Sequence, residues 1–292
     1  MNIIKYRKIY FIFSGLLILA SIFSLVRWHL KLGIDFTGGS LLEIKFADNV
    51  LDNQAIKNKL APLNLGDINV QPTAEKSVIL RTKDIDEPTH QKVLKALGNV
   101  EEQRFESVGP VVGSELKSRA FYAIALTMLA IVLYIAWAFR KVSRPIASWK
   151  YGVATLVALV HDVIIPVGFF SILGHFMGVE IDLLFVTAVL TILGFSVHDT
   201  IVVFDRIREN LRRGGSGDFE ATVDKSIHQT LTRSINTSLT VLLTLLAVYI
   251  FGGETIKYFA LALLVGIIFG TYSSIFIASP VLVVWEGWKK RK

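Results

Sequence analysis

Six long apolar runs limit what this 292-residue chain can fold into. Each is close to the 20 or so residues that an α-helix needs to cross about 30 Å of hydrocarbon. The predicted spans lie at residues 9–27, 118–139, 150–173, 181–204, 234–251 and 258–285. With 52% hydrophobic and 19% charged residues, the composition is too apolar for an ordinary soluble domain. The sequence predicts a polytopic α-helical membrane protein with six transmembrane helices.

The basic residues predict how these spans are oriented. Lys and Arg collect at the ends of spans, so the net charge of +7 does not indicate a nucleic-acid partner. The clusters lie at residues 5–8, 140–150, 206–225 and 289–292. Because cytoplasmic loops are enriched in Lys and Arg, both termini are expected in the cytoplasm. The first span could also be a cleaved signal peptide, but its apolar core is long and residues 27–31 make a poor cleavage site.

A polar stretch of about 80 residues, 33–112, separates the first two spans and is large enough for a small domain. Its patterns predict a strand, a helix, a strand, a helix and a strand, at residues 41–46, 52–60, 78–82, 89–97 and 100–108. We therefore expect a small α+β external (periplasmic) domain between helices 1 and 2. Residues 1–32 form the cytoplasmic N-terminus and first helix, and residues 113–292 carry the other five.

Asp199 is an ionisable residue inside the fourth apolar span. A charged side chain at such a position costs roughly 2.5 to 3.5 kcal/mol on insertion scales, so it generally has a function. Arg233 opens the fifth span at the same predicted cytoplasmic edge, and the two helices could bring these opposite charges together. The pair could be a structural ion pair that fixes helix packing. It could also be an ion-coupling switch in which Asp199 alternates between paired and protonated states.

A polar stripe follows Arg233 along the fifth span. Thr237, Thr240 and Thr244 lie at offsets of 4, 7 and 11 residues, which places them on one face of a helix. Such a stripe is expected to face protein or water and not lipid.

Other ionisable residues of the spans are candidates for a proton relay. Asp162 and His161 lie near the middle of the third span, about 18 Å from its inner end at 1.5 Å per residue. They could pass protons to Asp199, or they could be satisfied by hydrogen bonds between helices. His198 adjoins Asp199 but points about 100° away on a helix, so packing or hydration is the simpler role. Arg206, seven residues after Asp199, is a possible second partner.

The remaining motifs indicate packing and loops and do not indicate catalysis. Gly266 and Gly270 form a small-xxx-small pair that permits close helix contact in the sixth span. The Gly-rich loop at residues 214–217 lacks the strand and the Lys-Ser/Thr of a phosphate-binding loop. Cysteine is absent, and no nucleophile with a base, metal-ligand cluster or cofactor fingerprint is evident. We expect no enzymatic activity, metal or cofactor.

Several long motifs, in order along nearly the whole chain, resemble the SecD/SecF family of bacterial protein-export membrane proteins, in the resistance-nodulation-division superfamily. One begins the external domain with the sequence Leu-Gly-Ile-Asp-Phe-Thr-Gly-Gly-Ser, and another includes His-Asp-Thr-Ile-Val-Val-Phe-Asp-Arg-Ile-Arg. The resembling segments are residues 32–40, 108–116, 194–210, 251–254 and 266–280. The residue before the motif's Asp is often Asn in the family, whereas here it is His198.

The resemblance implies a six-span subunit of the bacterial cytoplasmic (inner) membrane that works with a SecD-like six-span subunit. It also implies association with the SecYEG channel and a YajC-like accessory protein. Such proteins use the proton-motive force, or a sodium gradient, to draw exported polypeptides across the membrane. In the family the Asp of this motif and the Arg that opens the next span carry the coupling, and these match Asp199 and Arg233.

Two functions other than export are compatible with parts of the sequence. A small-molecule efflux subunit of the resistance-nodulation-division type would share the architecture, but the external domain is small for its substrate pockets and a second large external loop is missing. A passive assembly scaffold would use the buried charges only to fix geometry. It predicts that uncharged residues at positions 199 and 233 would function normally.

Overall fold

The computed structural model describes residues 3–47, 52–72, 76–140, 147–214 and 218–290. Six helices in this part of the chain are long and apolar enough to cross a membrane, which confirms the predicted fold class. The chain divides into two compact units, one formed by residues 1–31 and 122–292 and the other by Leu32–Phe121.

The membrane unit is built from long helices. A short 3-10 turn at Ile4–Tyr6 leads into the first of them. The bounds are α1 Arg7–Trp28, α5 Pro110–Ala138, α6 Ser148–Met177, α7 Leu183–Arg212, α8 Phe219–Phe251, α9 Glu254–Ser273 and α10 Ser279–Lys290. A π-helical segment, Ser274–Ala278, joins α9 to α10 without a loop. Pro280, the second residue of α10, has no N–H to donate, so the helical hydrogen-bond ladder is interrupted there.

Small residues allow the closest helix contacts of this unit. A Cβ atom at Gly266 of α9 would overlap the side chain of Ile192 of α7, and one at Gly270 would lie 3.0 Å from the Ser196 Cβ. The predicted packing role of the two glycines is confirmed. On α6, a Cβ at Gly168 would lie 2.5 Å from the Cα of Ser21 on α1, so α1 and α6 also meet at backbone distance.

Hydrogen bonds and ion pairs fix both ends of α1 to other helices. At its start, the Ile4 N–H donates to Asp224 Oδ1 of α8 at 3.1 Å, and Arg7 pairs with Glu220 at 2.7 Å. Just beyond its other end, Lys31 pairs with Glu180 at 3.3 Å, in the connection between α6 and α7. The first span is therefore held at each end by the helices that follow it.

The second unit contains a four-stranded antiparallel sheet with the strand order β2-β3-β1-β4. The elements are α2 Ile34–Thr37, β1 Gly39–Phe46, α3 Asn53–Leu60, β2 Asn69–Pro72, β3 Ser77–Thr82, α4 Glu87–Leu97 and β4 Val100–Val108. Alternate strand residues form one buried core with α3 and α4, and it includes Leu42, Ile44, Leu80, Ile56 and Val93. The predicted strands and helices are confirmed, and β2 is an additional strand.

Gly38 and Gly39 start the sheet in backbone conformations that require glycine. Their φ angles are +74° and +126°, a region that L side chains rarely adopt. Space is also lacking, because a Cβ at Gly38 would lie 2.7 Å from the Pro110 Cα and one at Gly39 would lie 2.6 Å from the Thr82 carbonyl oxygen. This explains why two adjacent glycines stand at this point of the chain.

Candidate functional site

Asp199 lies on the buried face of α7 and is 3% exposed. Its Oδ2 atom has no hydrogen-bond partner among the described residues. The charged groups that act on its carboxyl group are the adjacent His198 and, more weakly, Arg233, and the hydroxyls of Thr271 of α9 and Ser234 of α8 lie on the same side of it. Ser234 is itself buried, and its Oγ has no partner in the described part of the chain. An acid with one oxygen atom unpartnered among the described residues thus lies where α7, α8 and α9 meet.

Arg233 does not pair with Asp199 in this structure. It is exposed, and no ion pair within 4.0 Å joins it to an acidic group of the described residues. The physical reason is the helical repeat: Ser234, one residue on and about 100° around α8, occupies the position that faces inward. Asp199 and Arg233, the two charges expected to meet, are therefore not in contact.

The predicted polar stripe lies mainly on the surface of this single chain. Thr240 and Thr244 are exposed and Thr237 is half-buried. The Thr240 hydroxyl donates to the Thr237 carbonyl at 2.8 Å, and Thr244 donates to the Thr240 carbonyl at 3.1 Å. The Thr240 and Thr244 hydroxyls are thus satisfied within α8, and neither bonds to Asp199.

Ser234 and Ser238 instead form the buried polar face of α8. Ser238 shares a hydrogen bond of 2.6 Å with Thr271 of α9. The sequence carries this signal as two serines four residues apart, which lie on one face of a helix. The spacing of the threonines predicted a polar face next to this one. Periodicity alone does not show which face of a helix is buried.

Asp162 lies at the centre of the membrane unit with 0% exposure. Its Oδ2 accepts hydrogen bonds from Ser196 of α7 at 2.5 Å and from Ser273 of α9 at 2.7 Å. Its Oδ1 lies 2.8 Å from Nδ1 of His161. The expected hydrogen bonds between helices, supplied by α7 and α9, are present for Asp162, whereas His161 Nε2 has no partner among the described residues.

Further hydroxyls extend this polar cluster along α7 and α9. Thr200 and Ser274 share a hydrogen bond of 2.8 Å, and both hydroxyl oxygens lie 3.1 Å from the Ser196 carbonyl oxygen, which accepts from the hydroxyl that does not donate to the other. Ser196, Thr200, Ser273 and Ser274 were not among the residues predicted from the sequence. The available signals were Ser196 and Thr200, four residues apart beside Asp199, and the run of hydroxyl residues at 271–274 in an otherwise apolar span.

The other two candidates lie away from the buried acids. His198 is exposed on the outer face of α7. Arg206 donates to Gln229 Oε1 at 2.7 Å and pairs with Glu209 at 2.5 Å. Seven residues separate Arg206 from Asp199, a rise of about 10 Å along the helix, so a shared face does not bring them together. Residues 215–217 of the Gly-rich loop lie outside the described residues.

The arrangement offers two buried carboxyl groups beside α7, because Ser196, which donates to Asp162, is three residues before Asp199 on that helix. Carboxylate and hydroxyl oxygens can hold a proton or a small hard cation. A buried unpaired carboxylate is strongly unfavourable, and taking up a proton or a cation removes that penalty. The site is therefore suited to binding and releasing an ion.

Comparisons with known proteins agree with this geometry. A family model described as protein export membrane protein SecD/SecF, C-terminal, matches residues 89–288. The SecD/SecF GG motif matches residues 29–50, a segment that includes the two constrained glycines. Relatives named protein translocase subunit SecF include one from Thermobaculum terrenum, 48% identical over 98% of this chain and 94% of the relative. Another, from Anaerolinea thermophila, is 42% identical over 100% of this chain and 97% of the relative.

Two solved structures share the fold along the whole chain. The crystal structure of SecDF from Thermus thermophilus, described as a translocon-associated membrane protein, superposes with a TM-score of 0.84 at 30% identity over 98% of this chain. A structure of SecDF in a form called super-membrane-facing gives a TM-score of 0.70 at 31% identity over 100% of this chain. In both cases this chain spans 39% of the length of the SecDF chain.

Proposed function

The chain belongs to the SecD/SecF family of protein-export membrane proteins, as a relative of the SecF subunits, and on this premise we propose that it couples an ion gradient to protein export. It works in the bacterial cytoplasmic membrane, with both termini in the cytoplasm, and has no enzymatic activity. Its partners are a SecD-like six-span subunit, the SecYEG channel and a YajC-like accessory protein. The ion is the proton, or sodium in its place, and exported polypeptides are the cargo.

The observation that carries this proposal is the state of Asp199. It is 3% exposed in a membrane-spanning helix, and its Oδ2 has no partner among the described residues. A structural acid at such a depth would be expected to have a fixed partner. An acid that lacks one can gain or lose a proton as its surroundings change.

Arg233 provides the alternative partner for the ionised acid. Its exposed side chain is one residue from the inward-facing Ser234 on α8, so a rotation of α8 by about 100° would bring it to that position. Protonation of Asp199 favours the unpaired arrangement, and ionisation favours the paired one. The two arrangements form the two states that an ion gradient can bias.

The available energy is sufficient for this shift. One proton crossing a membrane potential gains roughly 2.3 kcal/mol per 100 mV. A difference of about 1.4 kcal/mol changes a two-state equilibrium tenfold, so a single proton can reverse the preferred arrangement.

Movement of α7 and α8 can reach the external domain through α1. The start of α1 is fixed to α8 by the pair between Arg7 and Glu220. Its far end is fixed near α6 and α7 by Lys31 and Glu180 and by the Ser171 hydroxyl, which donates to the His29 carbonyl at 2.7 Å. The external domain follows directly in the chain, so displacement of α1 is passed on by covalent continuity.

The test is replacement of Asp199 by Asn, followed by measurement of gradient-dependent completion of export in membrane vesicles. Loss of the gradient-dependent part is expected, because Asn has the shape of Asp but cannot change charge. Asp205→Asn is the matched control, since it makes the same change on the same helix at an exposed residue paired with Arg208. Export should persist in this control.

Two results would contradict the proposal. Normal gradient-dependent export by the Asp199→Asn variant would show that the acid is not required to titrate. Equal loss in the Asp205→Asn variant would show that the defect comes from disturbing α7 in general. Co-purification with a second six-span protein and the export channel separately tests the partners, and drug transport by the chain alone would favour the efflux function.

A further inference from the structure

His161 is a buried histidine that lacks one of its hydrogen bonds. It is 1% exposed, and its Nε2 atom has no partner among the described residues. Its Nδ1 lies 2.8 Å from Asp162 Oδ1. When Asp162 is ionised its carboxylate only accepts hydrogen bonds, so Nδ1 carries the hydrogen and, in the neutral ring, Nε2 is an acceptor. A buried acceptor without a donor requires an explanation.

Three hydrogen-bond donors surround the carboxylate of Asp162. It accepts hydrogen bonds from Ser196 on α7 at 2.5 Å and from Ser273 on α9 at 2.7 Å, in addition to the imidazole. Each of these three donors stabilises the ionised form of the Asp162 carboxyl group. No Lys or Arg forms an ion pair with it within the described part of the chain, so the neutral imidazole leaves the pair with a net charge of −1.

Aromatic rings line the other side of His161. The Tyr272 ring lies nearly parallel to the imidazole, with 5.9 Å between centroids and 23° between planes. The Phe269 ring presents an edge-to-face contact at 6.2 Å. Aromatic faces attract a cation that is shielded from water. The surroundings thus favour an imidazolium held between a carboxylate and the ring of Tyr272.

These observations share one explanation. We propose that His161 and Asp162 form a second proton-binding site, in which the proton enters at Nε2 of His161 and the pair changes from a net charge of −1 to 0. No bond other than N–H forms, and the carboxylate keeps its three donors. The site deepens the proposed function, on which it rests, because it places a second protonation event beside Asp199.

Tyr272 connects this site to α1. Its hydroxyl donates to the Tyr10 carbonyl at 3.2 Å and accepts from Ser14 Oγ at 3.3 Å. A positive charge on His161 therefore lies next to the Tyr272 ring, whose hydroxyl is hydrogen-bonded to α1. The titratable groups packed around the pair are Tyr272 on α9, Tyr10 on α1 and Asp199 on α7, one turn from Ser196.

The test is nitrogen NMR of the histidine rings of the full-length chain in lipid vesicles, followed from mildly acidic to alkaline pH. Neutral and protonated imidazole give different nitrogen shifts. One resonance is expected to change from the Nδ1–H form to the imidazolium as pH falls, and to be absent from the His161→Gln variant. Asp162→Asn should abolish this change, because the charge that stabilises the imidazolium is removed.

Three further variants keep the test decisive. Ser196→Ala and Ser273→Ala each remove one hydrogen bond to Asp162 and should shift the midpoint of the His161 transition. Thr155→Ala is the matched control, because this buried hydroxyl of α6 bonds only to the Tyr151 carbonyl of its own helix, and it should leave the midpoint unchanged. If Asp162→Asn does not fold, the Ser196→Ala and Ser273→Ala variants still test whether Asp162 controls the His161 transition.

The outcomes separate this inference from the function on which it rests. A His161 ring that stays neutral at every pH, or that titrates identically in all variants, overturns the second site. The Asp199→Asn variant is expected to retain the His161 transition although its gradient-dependent export is lost. Normal export in that variant would refute the coupling role of Asp199 and leave the His161 result standing.

Discussion

Asp199 and Ser234 are buried in adjoining helices, whereas Arg233 is exposed one residue before Ser234. This geometry distinguishes the coupling function from a passive scaffold. A scaffold needs the two charges to be in contact in the resting structure, and here they are not. The coupling function needs only that the contact can form in another state.

The double variant Asp199→Asn with Arg233→Gln tests this distinction. It removes both charges together and so leaves no unpaired ion. Export should lose its dependence on the gradient, as in the single Asp199→Asn variant, because neither residue can change its pairing. Export assays in vesicles with and without a gradient measure this. Normal behaviour of the double variant would support the scaffold and end the coupling proposal.

Asp86 gives a prediction for pH in the external domain. Its carboxylate caps α4 by accepting the Thr89 N–H at 3.1 Å. Hydrogen bonding by the Thr89 hydroxyl, together with this N–H, lowers the pKa of Asp86 below its usual value. A lowered pKa means that the cap stabilises the fold above the pKa of the unfolded chain. That stabilisation is lost as the pH falls through the lower value of the folded chain.

Hydrogen exchange of the α4 amides in the full-length chain measures this effect. Protection should decrease as the pH falls below about 4, once the intrinsic exchange rates are corrected for pH. Asp86→Asn should show a smaller decrease, because Asn also caps helices but does not titrate. The same decrease in both chains would show that Asp86 is not responsible.

At the level of helices and strands, the spans were predictable because their apolar length is set by the bilayer. Two features were not. The helix α8 begins at Phe219, 15 residues before the predicted span at 234, because its first turns bury Phe219, Val223 and Ile227 in the core while the polar residues between them lower the mean hydropathy. Strand β2 has only four residues and ends at Pro72, so it is too short to show alternation.

The buried hydroxyl cluster shows a further limit of prediction. Ser196, Thr200, Ser273 and Ser274 come from two helices, and their meeting depends on how closely α7 and α9 approach. Gly266 and Gly270 signalled that approach in the sequence, but the rotation of each helix was not available from it. The acids could thus be predicted, and most of their hydrogen-bond donors could not.

Gly168 tests the close contact between α1 and α6. Replacing it by Ala should destabilise the protein by about 1–3 kcal/mol, because the new Cβ would meet the Ser21 backbone and neither helix can yield without moving. Gly15→Ala on α1 is the matched control, with nothing within 4 Å of its Cβ, and it should be neutral or stabilising by up to roughly 1 kcal/mol.

Thermal unfolding of the purified full-length Gly168→Ala and Gly15→Ala variants in one detergent measures both changes in stability. Equal melting temperatures for Gly168→Ala and the unchanged chain would show that the helices separate easily. That result would also weaken the proposed role of α1 in passing movement to the external domain.

For the whole molecule, much of α5 and the outer face of α8 remain uncovered by this chain. Exposed apolar residues on α5 include Phe121, Leu126, Leu129 and Leu133. On α8, exposed Leu239 and Leu243 accompany the exposed Arg233 and Thr240. Lipid can cover the apolar residues, but the charged and polar ones favour a protein or water on that side. This distribution is consistent with the proposed six-span partner.

The proposed orientation can be tested because the chain has no cysteine. Single cysteines at exposed Lys95 in α4 and exposed Lys225 in α8 would each be the only reactive thiol. A membrane-impermeant thiol reagent applied to intact cells should label Lys95→Cys and not Lys225→Cys. Labelling of both variants after lysis is the control, and the reverse pattern in intact cells would contradict the orientation.

The contacts between the start of α1 and α8 also bear on how the protein is made. They join residues separated by 213 and 220 positions in sequence. While the ribosome is still producing the intervening helices, α1 can already pack against α6, but its contacts with α8 cannot form until Glu220 and Asp224 have been synthesised. The start of α1 is therefore fixed late in synthesis, after its far end has met α6.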